Sequence, residues 1–157
     1  MTRLSKKSLR RLAATVQQQG TAADFVPDKP VFKRNEESEM QRALIRWWDT
    51  EGHHQFNLPK NLLFSIPNGN NGDAKRGSIM KAEGQRKGAP DLMLAKPKYR
   101  VESWKWDHGL FLELKTATGR LMPEQEEFHF TLRNAGYRVE VVRSLAEAQK
   151  IITEYLS

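Results

Sequence analysis

Leu110-Phe111-Leu112-Glu113-Leu114-Lys115 reads as an inner β-strand that carries two charges on a face expected to be covered. Side chains alternate across a strand, so Leu110, Leu112 and Leu114 share one face while Phe111, Glu113 and Lys115 share the other. An isolated buried charge is costly, and such groups are paired or hold a metal ion. Taken alone, the Glu-x-Lys pattern reads more simply as an ordinary ion pair on a solvated sheet face. Upstream, Pro90 precedes Asp91-Leu92-Met93-Leu94, which opens a second strand. If that strand pairs in hairpin fashion with residues 110–115, the carboxylates of Asp91 and Glu113 converge on one place. Two carboxylates, completed by backbone and water oxygens, suit a hard divalent cation such as Mg²⁺ or Mn²⁺. Such an ion polarises a phosphodiester and activates water, and Lys115 offsets charge developing on the phosphate or positions the nucleophile.

Two further polar residues lie near apolar stripes. Phe128, Leu132 and Ala135 stand three, seven and ten residues after Gln125, which places this amide on the inward face of a helix starting at Pro123. A buried amide without partners costs about 1–3 kcal/mol. Gln125 therefore either points to the same site, bonding a metal ligand, a water or Lys115, or stays half exposed near the helix start. Glu39 precedes the stripe Met40, Ala43, Leu44, Trp47, Trp48. It is either a first-turn acid favoured by the helix dipole or a third carboxylate for the metal.

The remaining pattern is that of an α/β domain with a mixed central sheet. A helix from about residue 35 leads to a short strand at Leu62–Ile66, a weak basic helix at 73–83 and the Asp91 strand. An aromatic hairpin excursion at 96–108 comes before the Glu113 strand. Then follow a helix from Pro123 that stops before Gly136, a strand at 138–142, and a last helix capped by Ser144 with Glu147. Residues 1–34 read as a basic arm, with a short helix at 5–18 and a Gly/Pro-containing linker, and 35–157 as the folded domain.

Charge points to a polyanion. The 157 residues hold 26 Lys+Arg and 19 Asp+Glu, a formal +7. Eight basic and two acidic side chains fall in residues 1–34, and a second basic segment spans 75–100. Lys75, Arg76, Lys81, Arg86 and Lys87 surround the approach to Asp91 and are expected to contact phosphates rather than read bases. Asn68-Gly69-Asn70-Asn71-Gly72 lacks the Lys-Ser/Thr of a P-loop and suits close approach of DNA instead. The absence of cysteine excludes disulfides, thiolate catalysis and Cys-ligated metals. No apolar run is long enough for a membrane span and no secretory signal is apparent, so a cytoplasmic protein is expected. His53 and His54 are adjacent and so project differently; a helix-end loop describes them better than a zinc site. Tyr99, Trp104 and Trp106 either pack within the hairpin, line a dimer interface or stack on bases.

Glu39 with Gln41, Ile66-Pro67-Asn68, Gly84, Lys87-Gly88-Ala89-Pro90-Asp91-Leu92, Leu112-Glu113-Leu114-Lys115, Gly119-Arg120-Leu121, Glu124-Gln125 and Ala135-Gly136-Tyr137 form an ordered series over residues 36–155. In this series the chain resembles the VRR-NUC (virus-type replication-repair nuclease) family of the PD-(D/E)XK superfamily. The resemblance implies a restriction-endonuclease-like sheet flanked by helices. It implies Asp91 and Glu113 as metal ligands with the Leu114 carbonyl, Lys115 as catalytic lysine, and Glu39 and Gln125 as accessory groups. Met122 departs from the Ser that members often carry ahead of Pro-Glu-Gln, which bears on helix capping more than on chemistry; Thr116 or Thr118 is the expected substitute. Stand-alone members resemble phage and bacterial Holliday-junction resolvases that act as homodimers, so the implied substrate is branched or four-way DNA. A flap or nicking nuclease of the same fold and a non-catalytic basic DNA-binding module are the alternatives.

Overall fold

The computed structural model describes residues 33–67 and 74–157. Of the expected arm over 1–34, residues 1–32 lie outside the described residues, as does the loop 68–73, and residues 33 and 34 belong to the first helix. Helix α1 (Lys33–Trp47) turns Leu44 inward, with Met40, Ile45 and Trp47 beside it. It then widens into a π-turn over Trp48–Gly52. The indoles explain why a glycine closes this turn: a Cβ on Gly52 would meet ring atoms of both Trp47 and Trp48 at 3.0 Å. Trp48 is fully buried, and its Nε1 donates to the Lys60 carbonyl at 2.7 Å. His53 Nδ1 lies 3.1 Å from the Leu58 carbonyl, so this histidine closes the helix-end loop, as its sequence context suggested.

The main sheet runs β1 (Leu63–Ser65), β2 (Leu92–Leu94), β5 (Leu110–Leu114), β6 (Arg138–Val142) in spatial order. The first two pairings are antiparallel and β5–β6 is parallel, which makes the sheet mixed. β2 pairs with β5 through Leu92↔Leu112, Met93↔Phe111 and Leu94↔Leu110. Every residue of β5 is buried, so the solvated-face alternative for Glu113 does not hold. Helices flank the sheet: α2 (Ala74–Ala82), α3 (Pro123–Asn134) and α4 (Leu145–Leu156). Leu92, Leu94, Leu110, Leu112, Leu114 and Val142 form one core with Leu44, Trp48, Ala148, Ile152 and Tyr155 from α1 and α4. Ser144 caps α4 by accepting from the Glu147 backbone N–H at 3.1 Å, while the Glu147 carboxylate accepts from Arg143 N. Among the described residues no helix is long and apolar enough to cross a membrane.

The excursion between β2 and β5 is a hairpin of β3 (Lys98–Arg100) and β4 (Lys105–Asp107). Its polar face turns toward the domain. Buried Asp107 pairs with Arg100 at 3.1 Å, and Lys98 Nζ donates to the Glu154 carbonyl. The Tyr155 hydroxyl donates to the Lys96 carbonyl at 2.6 Å. Burial, with the nearby Asp107 carboxylate adding to it, pushes the Tyr155 phenol up to about 12. The other face is solvent-facing. Tyr99 packs across from Trp106 with ring centroids 5.2 Å apart, and Trp104 is 80% exposed.

Candidate active site

Asp91 immediately precedes β2, beyond the Leu92↔Leu112 pair and beside the stretch of β5 that carries Glu113. The main chain of Asp91 is held on both sides: its N–H donates to the Leu112 carbonyl at 3.1 Å, and its carbonyl accepts from Ile66 N at 2.8 Å. Its Oδ2 accepts from the Leu114 backbone N–H at 2.8 Å, tying the carboxylate to the end of β5. Pro90 and Asp91 are delivered by a turn at Gly88, whose φ of +87° is in the left-handed region. A Cβ on Gly88 would collide with the Glu124 carbonyl and stand 2.9 Å from Gln125 N. The Asp91 loop therefore rests directly on the first turn of α3. Lys87 also reaches across to that turn, where its ammonium pairs with Glu124 and holds the Glu124 carboxyl below its ordinary value of 4.5.

Glu113 is 1% exposed. Its Oε1 receives Lys115 Nζ at 2.8 Å and a hydrogen bond from Gln125 Nε2. The amide of Gln125 has only one possible sense, because its Oε1 accepts from the Met122 backbone N–H at 2.9 Å and a backbone N–H can only donate. Met122 supplies no capping hydroxyl, and neither Thr116 nor Thr118 takes its place: the Gln125 backbone N–H donates to the Met122 carbonyl, while the Gln125 side chain keeps its half of a capping box on the Met122 N–H. Both alternatives for Gln125 are answered by one side chain: it sits at the helix start and it bonds the site carboxylate.

The structure brings Asp91, Glu113, Leu114, Lys115 and Gln125 together. It leaves Glu39 exposed on α1. The contact from this helix to the end of β5 comes instead from Glu37, whose Oε1 accepts from Thr116 N at 3.1 Å. Glu37 lies seven residues before Leu44 and eleven before Trp48, so its place on the buried stripe was readable in the spacing. The second residue missed is His129 on α3, four residues after Gln125 and fully buried, with Nε2 3.5 Å from Glu113 Oε2. Its i, i+4 relation to Gln125 is the signal that could have found it. Of the expected phosphate contacts, Lys81, Arg86 and Lys87 are exposed, Asn68 lies outside the described residues, and Lys75 and Arg76 are placed on α2. A largely apolar cleft of about 480 Å³, floored by Phe111 and Phe128 and edged by Arg86 and Pro90, opens beside them.

The donor set fits a hard divalent ion. Glu113 Oε2 is buried and has no hydrogen-bond partner among the described residues, and the Asp91 carboxylate is tied to the next residue of the strand, Leu114. No group of three or more His, Cys, Asp or Glu side chains converges among the described residues, so backbone and water oxygens would complete such a shell.

A mixed sheet flanked by helices, with Asp91 tied to the end of a Glu113-x-Lys115 strand, is the architecture of a nuclease domain of the PD-(D/E)XK type. Comparison with known families identifies which one. The chain belongs to the VRR-NUC domain family, which matches residues 35–146. A solved structure described as a VRR_NUC domain protein superposes with a TM-score of 0.61 at 21% identity, covering 76% of this chain and 87% of that one. At that identity the likeness speaks for the fold. No curated protein matches. Nuclease domains of this family generally use divalent metal ions.

Proposed function

We propose that this chain is a Mg²⁺- or Mn²⁺-dependent, structure-selective DNA endonuclease that acts on branched or four-way DNA as a Holliday-junction resolvase-like homodimer. The observation that carries the reading is the tie of the Asp91 carboxylate to the Leu114 N–H, next in the chain to a buried Glu113 whose Oε1 is held by Lys115 and Gln125. Asp91 and Glu113, with the Leu114 carbonyl, are the residues that would hold the ion. When bound, the ion polarises the scissile phosphodiester and lowers the pKa of a water.

The chain's own groups do the rest. Asp91 is aimed by the Leu114 N–H, so its carboxylate is set before substrate arrives. Lys115, only 12% exposed, brings a cation to the same carboxylate oxygen that Gln125 fixes. That places its ammonium to orient the attacking water or to offset charge on the phosphoryl oxygens. Lys75, Arg76, Lys81 and Arg86 on and after α2 supply phosphate contacts that position the duplex, with residues 1–34 as an additional basic arm. Two-fold pairing of chains suits symmetric cutting of a junction. The solvent-facing Tyr99, Val101, Trp104 and Trp106 support such pairing, because they form an apolar surface at the end of the strand pair away from Asp91.

The test is a panel of four-way, flap, nicked and single-stranded DNAs incubated with purified protein in Mg²⁺, Mn²⁺ or chelator. Cutting of the four-way substrate that needs metal and is lost in Asp91→Asn and Lys115→Ala is expected. Equal cutting by those variants removes the site assignment. Preference for flaps or nicks replaces the resolvase reading, and binding without any cutting leaves a basic DNA-binding module. A mass measurement showing only monomer, free and on junction DNA, overturns the dimer.

A further inference from the structure

His129 is the one fully buried histidine among the described residues, and neither of its ring nitrogens has a hydrogen-bond partner there. The group it faces is in the same condition. Glu113 Oε2, 3.5 Å from His129 Nε2, is also buried and unpartnered. Leaving two buried polar groups unsatisfied side by side is destabilising, so the pair needs a reason to exist. An apolar side chain at 129 would pack against the sheet without that cost. The separation exceeds an ordinary N–H···O distance of about 2.9 Å by roughly 0.6 Å, which a small rotation of either side chain closes.

Granted the metal-dependent nuclease proposed above, we infer that His129 is a positioning residue for Glu113: its Nε2–H donates to Oε2, the oxygen that Lys115 and Gln125 leave free. Oε1 is held from β5 by Lys115 and from the first turn of α3 by Gln125. A carboxylate gripped at one oxygen only still swings about that point. A donor on the second oxygen, one helical turn further along α3, removes that freedom. Groups that orient metal-binding side chains in this way typically change metal affinity about 10–100-fold when lost.

The experiment titrates the full-length protein with Mn²⁺, following free Mn²⁺ by electron paramagnetic resonance, for the wild type, His129→Leu, His129→Gln, His129→Asn and Asp91→Ala. His129→Leu is expected to bind Mn²⁺ about tenfold or more weakly, while its metal-free melting temperature is unchanged or raised. A glutamine amide nitrogen reaches the position of Nε2 and an asparagine amide nitrogen that of Nδ1. His129→Gln is therefore expected to stay within about threefold of wild type and His129→Asn to fall with His129→Leu. Wild-type affinity in His129→Leu, or equal losses in the Gln and Asn variants, overturns the assignment. Should His129→Leu fail to fold, the Gln and Asn variants decide it alone. If wild type and Asp91→Ala bind Mn²⁺ alike, it is the metal-dependent nuclease reading that fails, and the role of His129 falls with it.

Discussion

Replacing Gly88 by alanine tests whether the loop carrying Asp91 is clamped to α3 or merely adjacent to it. Two costs are expected. The φ of +87° is unfavourable for any L side chain by about 1–2 kcal/mol. In addition, the new Cβ would occupy the space of the Glu124 carbonyl and press on Gln125 N, so the loop and the helix must part. Overpacking of this kind costs about 1–3 kcal/mol, giving roughly 2–5 kcal/mol in all. Gly84 supplies the control: its φ is +103°, but a Cβ there meets nothing within 4 Å. Gly84→Ala should therefore show only the conformational part. Urea denaturation of both variants beside wild type, read as midpoint shifts at constant slope, separates the two contributions. Gly88→Ala should also lose metal-dependent cleavage under conditions where it remains folded, because Asp91 and Gln125 are moved apart. Equal stabilities for the two alanine variants would refute the clamp.

Ser144→Ala removes the oxygen that receives the Glu147 N–H and should cost about 1 kcal/mol, measured by the same denaturation. The phenol of Tyr155, raised to about 12, ionises later in the folded chain than in the unfolded one, whose value is 10.0. Its contribution to stability is fully present below pH 10 and is lost as pH rises toward 12; Tyr155→Phe should flatten that alkaline decline in stability-versus-pH measurements. If Lys81 and Arg86 meet phosphates, replacing either by alanine should reduce the slope of log affinity against log salt by about one, with little dependence on DNA sequence, as read by fluorescence anisotropy.

Much of this was readable before any coordinates. The alternation in residues 110–115, the Pro90-Asp91 strand start and the helix from Pro123 to the turn at Gly136 each state their geometry locally, and each element is present within a residue or two. Asp91 and Glu113 were expected to converge because antiparallel neighbours leave little choice of register once both strands have an apolar face. What the residues did not state locally is of a different kind. Glu39 and Glu37 are two residues apart on one helix, and only the exact rotation of α1 against β5 puts Glu37 on Thr116. His129 escaped because a histidine among Phe128, Phe130 and Leu132 reads as part of an apolar stretch; its significance depends on which oxygen of Glu113 is already occupied. The role of Met122 was likewise invisible, since Gln125 serves the Met122 N–H and the site carboxylate with opposite ends of one amide.

That double engagement of Gln125 couples the first turn of α3 to Glu113. Helix ends open and close far more often than whole proteins unfold. Each time the opening turn of α3 comes undone, Gln125 swings away and Glu113 loses a restraint, although the sheet beneath it is intact. Undoing that one turn would therefore release the Met122 N–H and the Glu113 carboxylate together, while the buried strand that carries Glu113 stays paired on both sides.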